Sequence, residues 1–185
     1  MQKLSNRKGL SEVVSTLILL VVAVLLAAIV TYYATNITMT RTATEDARIS
    51  KPHIWVNASG SIGAFKLQNL GGKDILVDKV VIRGVSCLWE NVSFYRVQDG
   101  DDVTGDFDLT WDGVAFNATI GTVPATAWNT IGDSDIPMRS GETILFSVAD
   151  PTNIGLDDIG TSISLTVFTN NAQWIVETNV ESASR

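Results

Sequence analysis

Two periodicities divide the chain. From Val13 to Ala34 it reads VVSTLILLVVAVLLAAIVTYYA, with no charged residue between Glu12 and Arg41, so a helix here is apolar on every face. The run is long enough to cross a bilayer, which takes about 20 apolar residues. Residues 36–50 keep Ile37, Ala43, Ala47 and Ile49 among polar groups, which predicts an amphipathic continuation, weakened by its Thr and Asn content. Pro52 sets the expected end, because the residue before a proline is pushed out of the α region; the predicted boundary is Lys51. The expected helix therefore covers residues 10–51.

From His53 onward the period becomes two. Ile163, Leu165 and Val167 alternate with Ser and Thr, and Trp174, Val176, Thr178 and Val180 alternate with Ile175, Glu177 and Asn179. Such alternation suits half-buried antiparallel strands. Further strands are predicted at 54–57, 64–69, 75–83, 87–97, 107–111, 115–120 and 143–148, with Gly71-Gly72 as a hairpin turn between two of them. Short strands joined by Gly- and Asp-rich connections predict an Ig-like antiparallel β-sandwich over residues 52–185. The expected fold class is thus α+β, a long N-terminal apolar helix followed by a β-sandwich with its own core.

Charge separates the same two regions. The chain has 185 residues and net charge −7. Residues 1–50 carry five basic groups (Lys3, Arg7, Lys8, Arg41, Arg48) against three acidic ones (Glu12, Glu45, Asp46), so the excess of acid lies wholly in the remainder. Three cations in the first eight residues place the N-terminus in the cytoplasm by the positive-inside rule, and the acidic body outside the cell. An acidic chain without a basic stripe is a poor match to nucleic acid, so no nucleic-acid partner is expected. One Cys and one His exclude an internal disulfide and the common zinc sites, and no metal or other cofactor is expected.

Candidate chemistry in the body is sparse. The stretch 99–108 is rich in Asp, but Val103 and Thr104 break the calcium-loop pattern, which reads as a solvated turn. His53, between Pro52 and Trp55, reads as a packed hinge residue, and Cys87 as a buried inert thiol. No G-x-S-x-G elbow occurs, and no catalytic residue is nominated. Four N-x-[ST] sequons stand at Asn36, Asn57, Asn91 and Asn117. Asn57, Asn91 and Asn117 are the N-glycosylation candidates; Asn36 lies in the expected helix.

The junction between cations and apolar run is more specific. An ordinary secretory signal has an apolar core of roughly 7 to 15 residues and a small-residue cleavage site after it; here a glycine follows the cations instead. Gly9 is expected to break the helix start and leave the backbone extended for a peptidase. The segment Lys8-Gly9-Leu10-Ser11-Glu12-Val13-Val14-Ser15-Thr16-Leu17-Ile18-Leu19-Leu20 resembles the class III signal sequence of archaeal type IV pilins, a superfamily shared with archaellins and bacterial type IV pilins. The resemblance covers roughly the first 35 residues. It implies residues 1–9 as signal peptide, a cut between Gly9 and Leu10 by a membrane aspartic prepilin peptidase, and a helix that survives into the mature subunit. It also implies an assembly ATPase and a membrane platform as partners, membrane insertion before assembly, and a filament outside the cell afterwards. Bacterial pilins carry a glutamate at the fifth mature position, whereas Glu12 would be third; its pairing with a neighbour's new N-terminal amine comes from the resemblance alone.

The helix surface adds a hint of its own. Ser11, Ser15, Ala23, Ala27, Thr31 and Thr35 fall on one i, i+4 row, interrupted by Leu19, and small residues at that spacing let helices approach closely. Glu12, Ser15, Ala23, Ala27 and Thr31 are the candidate assembly residues of a homopolymer. The reading that follows is a structural subunit of a pilus-like adhesion filament. Two others stay open: an archaellin, against which the Ser-Glu-Val-Val-Ser-Thr start weighs, and an uncleaved membrane anchor presenting a binding domain.

Overall fold

The computed structural model of the chain describes residues 5–42, 44–98, 100–110, 113–118, 121–123, 125–130, 132 and 135–183. Two compact units divide it, residues 1–43 and 44–185.

The first unit is one helix, α1, Ser5–Thr42, of 38 residues, about 57 Å long at 1.5 Å per residue. It is continuous through Gly9, where a break was expected. An interior glycine costs only about 1 kcal/mol relative to alanine, and Arg7, Lys8, Leu10 and Glu12 around it all favour helix. At the other end α1 stops well before Lys51. Thr38, Thr40 and Thr42 are β-branched and lower helix propensity; the Thr38 hydroxyl donates to the Ala34 carbonyl at 2.8 Å and the Thr40 hydroxyl to that of Asn36 at 2.9 Å. Beyond them the chain is recruited into the second unit, where Ala47 is 4% exposed.

That unit begins with β1, Ala47–Asn57, and β2, Gly60–Asn69, followed by β3, Ile75–Ile82, β4, Val85–Ser86, and β5, Val92–Arg96. Next come β6, Val103–Thr110, β7, Gly113–Ala118, β8, Gly121–Val123, β9, Asn129–Thr130, and β10, Ile136–Met138. The series closes with β11, Thr143–Ala149, β12, Ser162–Thr169, and β13, Gln173–Ser182. Pro52, expected to end a helix, lies inside β1. The register against β2 shifts between Ser50 and His53, and a proline at such a bulge forfeits no ladder hydrogen bond. Lys51 there has φ 52°.

The large sheet has ten strands in the order β10-β3-β12-β13-β1-β2-β11-β5-β9, with β4 on β3, and a separate small sheet runs β6-β7-β8. The α+β layout holds. Where two facing antiparallel sheets were expected, the hydrogen bonding gives one curled sheet, and β1 pairs with β13 in parallel, Ile54 opposite Val180. Gly71-Gly72 is not a hairpin turn: β2 pairs with β1 and β11, while β3 pairs with β12, β10 and β4. The strand expected over 87–97 is shortened by a 3₁₀ turn at Trp89–Asn91.

Buried side chains from both ends of the large sheet, among them Ile82 and Leu165 on one side and Phe65, Ile144 and Phe146 on the other, form one core. The outer face of the same sheet is covered too: Trp55, Ala64 and Leu145 pack with Val103, Phe107 and Val114 of β6 and β7. This second layer explains why Ile54-Trp55-Val56 and Ile144-Leu145-Phe146 are buried without alternation, as in sheets covered on both faces.

Candidate functional site: stem surface, processing junction and sequons

Across residues 9–40 the stem α1 is exposed at every position. Its large apolar side chains from Leu10 to Met39 are all exposed, between 47% at Val22 and 72% at Leu10. Soluble monomers rarely leave contiguous apolar patches larger than a few hundred Å². Gly9–Thr40 is long and apolar enough to cross a membrane.

Helical geometry sets Ser11, Ser15, Ala23, Ala27, Thr31 and Thr35 in one row. Within it the Ser15 hydroxyl donates to the Ser11 carbonyl at 2.9 Å, Thr31 to Ala27 at 2.8 Å and Thr35 to Thr31 at 2.8 Å. The hydroxyls of Ser15, Thr31 and Thr35 are thus satisfied by their own helix, and this part of the row can be buried in lipid or against another helix without the cost of an unpaired donor. Sequence spacing shows the small residues but not this internal satisfaction. Glu12 is exposed. At Gly9 a built Cβ would meet nothing within 4 Å beyond its chain neighbours and its own helix backbone, and the backbone there is helical.

The sequons occupy different settings. Asn36 lies within α1. Asn57 ends β1, and its Oδ1 accepts the backbone N–H groups of Ser59 at 2.8 Å and Gly60 at 3.0 Å, which shapes the β1–β2 turn. Asn91 is half-buried at the end of the 3₁₀ turn, its N–H donating to the Leu88 carbonyl at 3.0 Å. Asn117 belongs to β7, with its side chain outside the described residues.

In the body, His53 is no hinge. It stacks on Trp55 with ring centroids 5.1 Å apart and planes 5° from parallel. Its Nε2 lies 3.0 Å from Asp106 Oδ1 and its Nδ1 3.3 Å from Glu181 Oε1; the second approach has no aligned hydrogen bond. Lys51 Nζ donates to the carbonyls of Val103, at 3.2 Å, and Gly105. These contacts fasten β6 to the outer face of β1. The residues are far apart in sequence, and no local motif signals them.

Within the acidic stretch, Asp102 is engaged by backbone and lysine. Asp102 Oδ1 accepts the Val103 N–H at 2.8 Å and lies 3.4 Å from Lys66 Nζ, which together hold its carboxyl below the usual range. Asp99 lies outside the described residues. Among the described residues no group of three or more His, Cys, Asp and Glu is placed to hold a metal ion. Cys87 is half-buried and lines an open cleft of about 430 Å³ with Asp78, Lys79, Trp89 and Glu90. Burial pushes its thiol up to about 11, so it is protonated and unreactive at neutral pH. No protein-family model matches the chain, and no curated protein matches it in sequence.

Proposed function

We propose that this chain is the structural subunit of an archaeal type IV pilus-like surface filament, held in the membrane by α1 before assembly and polymerised through α1 afterwards, with the β body displayed outside for adhesion. The observation that carries the reading is the stem: 38 helical residues, exposed throughout 9–40, a row of small residues in which the Ser15, Thr31 and Thr35 hydroxyls are satisfied internally, and Lys8-Gly9-Leu10 at its start. In lipid such a helix is at home. Outside lipid it is soluble only if other helices cover it, and a bundle of identical stems does so. Transfer from lipid into a bundle gains little hydrophobic free energy, because lipid tails are as apolar as Leu and Val. Close packing and an external motor supply the drive.

The test is intact-mass analysis and N-terminal sequencing of the native protein, with electron microscopy of the cells that make it. The expected mature chain begins at Leu10 and is found in filaments. A native chain beginning at Met1, abundant in membranes and never in filaments, rejects the proposal in favour of an anchored external domain.

A further inference from the structure

The first strand of the body, β1, and its last described strand, β13, are neighbours and run parallel. Residues 44–47, where the chain enters the body, are fixed from several directions. The Glu45 side chain, 8% exposed, accepts the Thr169 hydroxyl at 3.2 Å and the Asn171 side-chain amide, with Lys73 Nζ at 3.8 Å. The Asp46 carbonyl accepts the N–H groups of Leu70 at 2.7 Å and Gly71 at 2.9 Å. A Cβ on residue 71 would lie 2.7 Å from both Asp46 N and the Thr44 carbonyl oxygen, so only glycine permits this approach. Asn69, fully buried, braces the loop from behind: its amide donates to the carbonyls of Lys73 at 2.8 Å and Arg139 at 3.0 Å, and its Oδ1 accepts the Gly71 N–H at 3.0 Å.

Beyond this knot β1 runs between two partners. It is paired with β2 from Ala47 to Asn57 and with β13 at Ile54, Trp55 and Val56. Opposite the bulge, the Thr178 hydroxyl of β13 donates to the Pro52 carbonyl at 2.8 Å.

We infer that the body is built to withstand tension arriving from the stem, with β1 as the strand that receives it and the Glu45 knot and β1–β13 pair as the clamp. Pulling the N-terminal end of β1 against the C-terminal end of β13 draws two parallel neighbours in opposite directions along their length. Their hydrogen bonds are then loaded together, whereas a hairpin pulled open from its end breaks its bonds one after another. A single bond contributes little net, so the resistance of a strand pair depends on this sharing. The source of tension rests on the filament reading; the resistance itself belongs to the body.

Single-molecule force spectroscopy on the full chain in detergent tests the inference without any filament. DNA handles are attached in a Cys87→Ala background at T44C and S182C for the shear axis, and at S59C and T152C for an axis that opens β2 from β11 at their shared end. The expected unfolding force is about twofold or more higher along the first axis, and Glu45→Ala lowers it there while leaving the second axis unchanged. If T44C perturbs the body, the handle moves to Asn36→Cys, and the load still enters through residues 44–47. Equal forces along the two axes, or a lower force along the first, overturn the inference. Absence of filaments from cells rejects the source of tension but does not alter this measurement.

Discussion

Phe65 of β2 and Phe146 of β11 stand directly opposite each other in the ladder, both fully buried, with rings stacked 5.0 Å apart and 11° from parallel. Both belong to the larger core, and neither belongs to the stem. Phe146→Ala is expected to destabilise the body by about 3–5 kcal/mol, the usual cost of deleting a buried aromatic ring. Chemical denaturation followed by tryptophan fluorescence measures it, since the five tryptophans all lie beyond residue 50. Helix content of the stem in detergent stays unchanged; a matching loss of stem helix would mean that the two units do not fold separately.

A second expectation concerns acid. Asp158 accepts the Gly155 N–H at 3.0 Å and the Arg83 guanidinium at 2.7 Å, and these contacts lower its carboxyl in the folded state. A carboxyl lowered on folding stabilises the protein above the unfolded aspartate range, about 3.9, and that contribution is lost as pH falls through the folded value. Asp158→Asn is therefore less stable than the unmodified protein near neutral pH, and the difference shrinks below about pH 4. Thermal melts of both proteins across that range decide it; a gap independent of pH contradicts the assignment.

Glycan occupancy follows from the settings of the sequons. Asn57, in an exposed hairpin turn, Asn91 and Asn117 are expected to carry any N-glycans present, and Asn36 to carry none. Asn36 lies within the stem; under the proposed filament function it is close to the membrane before assembly and among stems after it, where a bulky polar glycan has no room. Glycopeptide mass spectrometry of the native protein reads the occupancy site by site. High occupancy at Asn36 would remove the packed-stem geometry from consideration.

The two regions differed in how much their residues disclosed. The stem was legible because an uncharged apolar run has few structural options, and strands such as β12 and β13 because their alternation survives along most of their length. Pro52 misled because a proline signals a stop to a helix but is equally at home at a strand bulge, and only the pairing with β2 distinguishes the two. Residues 54–56 and 144–146 fall in the strands expected at 54–57 and 143–148, but that Trp55 and Leu145 face a second core depends on β6 and β7 lying over them. Pairing partners were the least accessible feature. Nothing near Gly71-Gly72 tells that β2 and β3 part there, since each is claimed by strands encoded much farther along the chain. The Glu45, His53 and Lys51 contacts are hidden for the same reason, being made across long sequence separations.

The small-residue row on α1 carries the assembly proposal and gives the sharpest expectation. Ala27 sits at its centre, one turn below Thr31, whose hydroxyl donates to the Ala27 carbonyl at 2.8 Å. Ala27→Phe keeps the stem apolar and helical, so membrane insertion is unaffected, and the body retains its own core. What changes is how closely a second helix can approach along the row. Overpacking of this kind costs about 1–3 kcal/mol per site, and a homopolymer repeats the defect in every subunit, so filament formation is expected to fail while processed subunit accumulates in the membrane. Electron microscopy counts filaments, and immunoblots of the membrane fraction quantify processed subunit. A control, Ile29→Phe, alters a residue on the opposite side of the helix from Ala27 that is already large and 52% exposed, and filaments are expected to persist. Normal filaments from Ala27→Phe would show that the stems do not meet along this row; equal loss from both variants would show that the whole circumference of the stem is packed, and would remove the special role of the small residues.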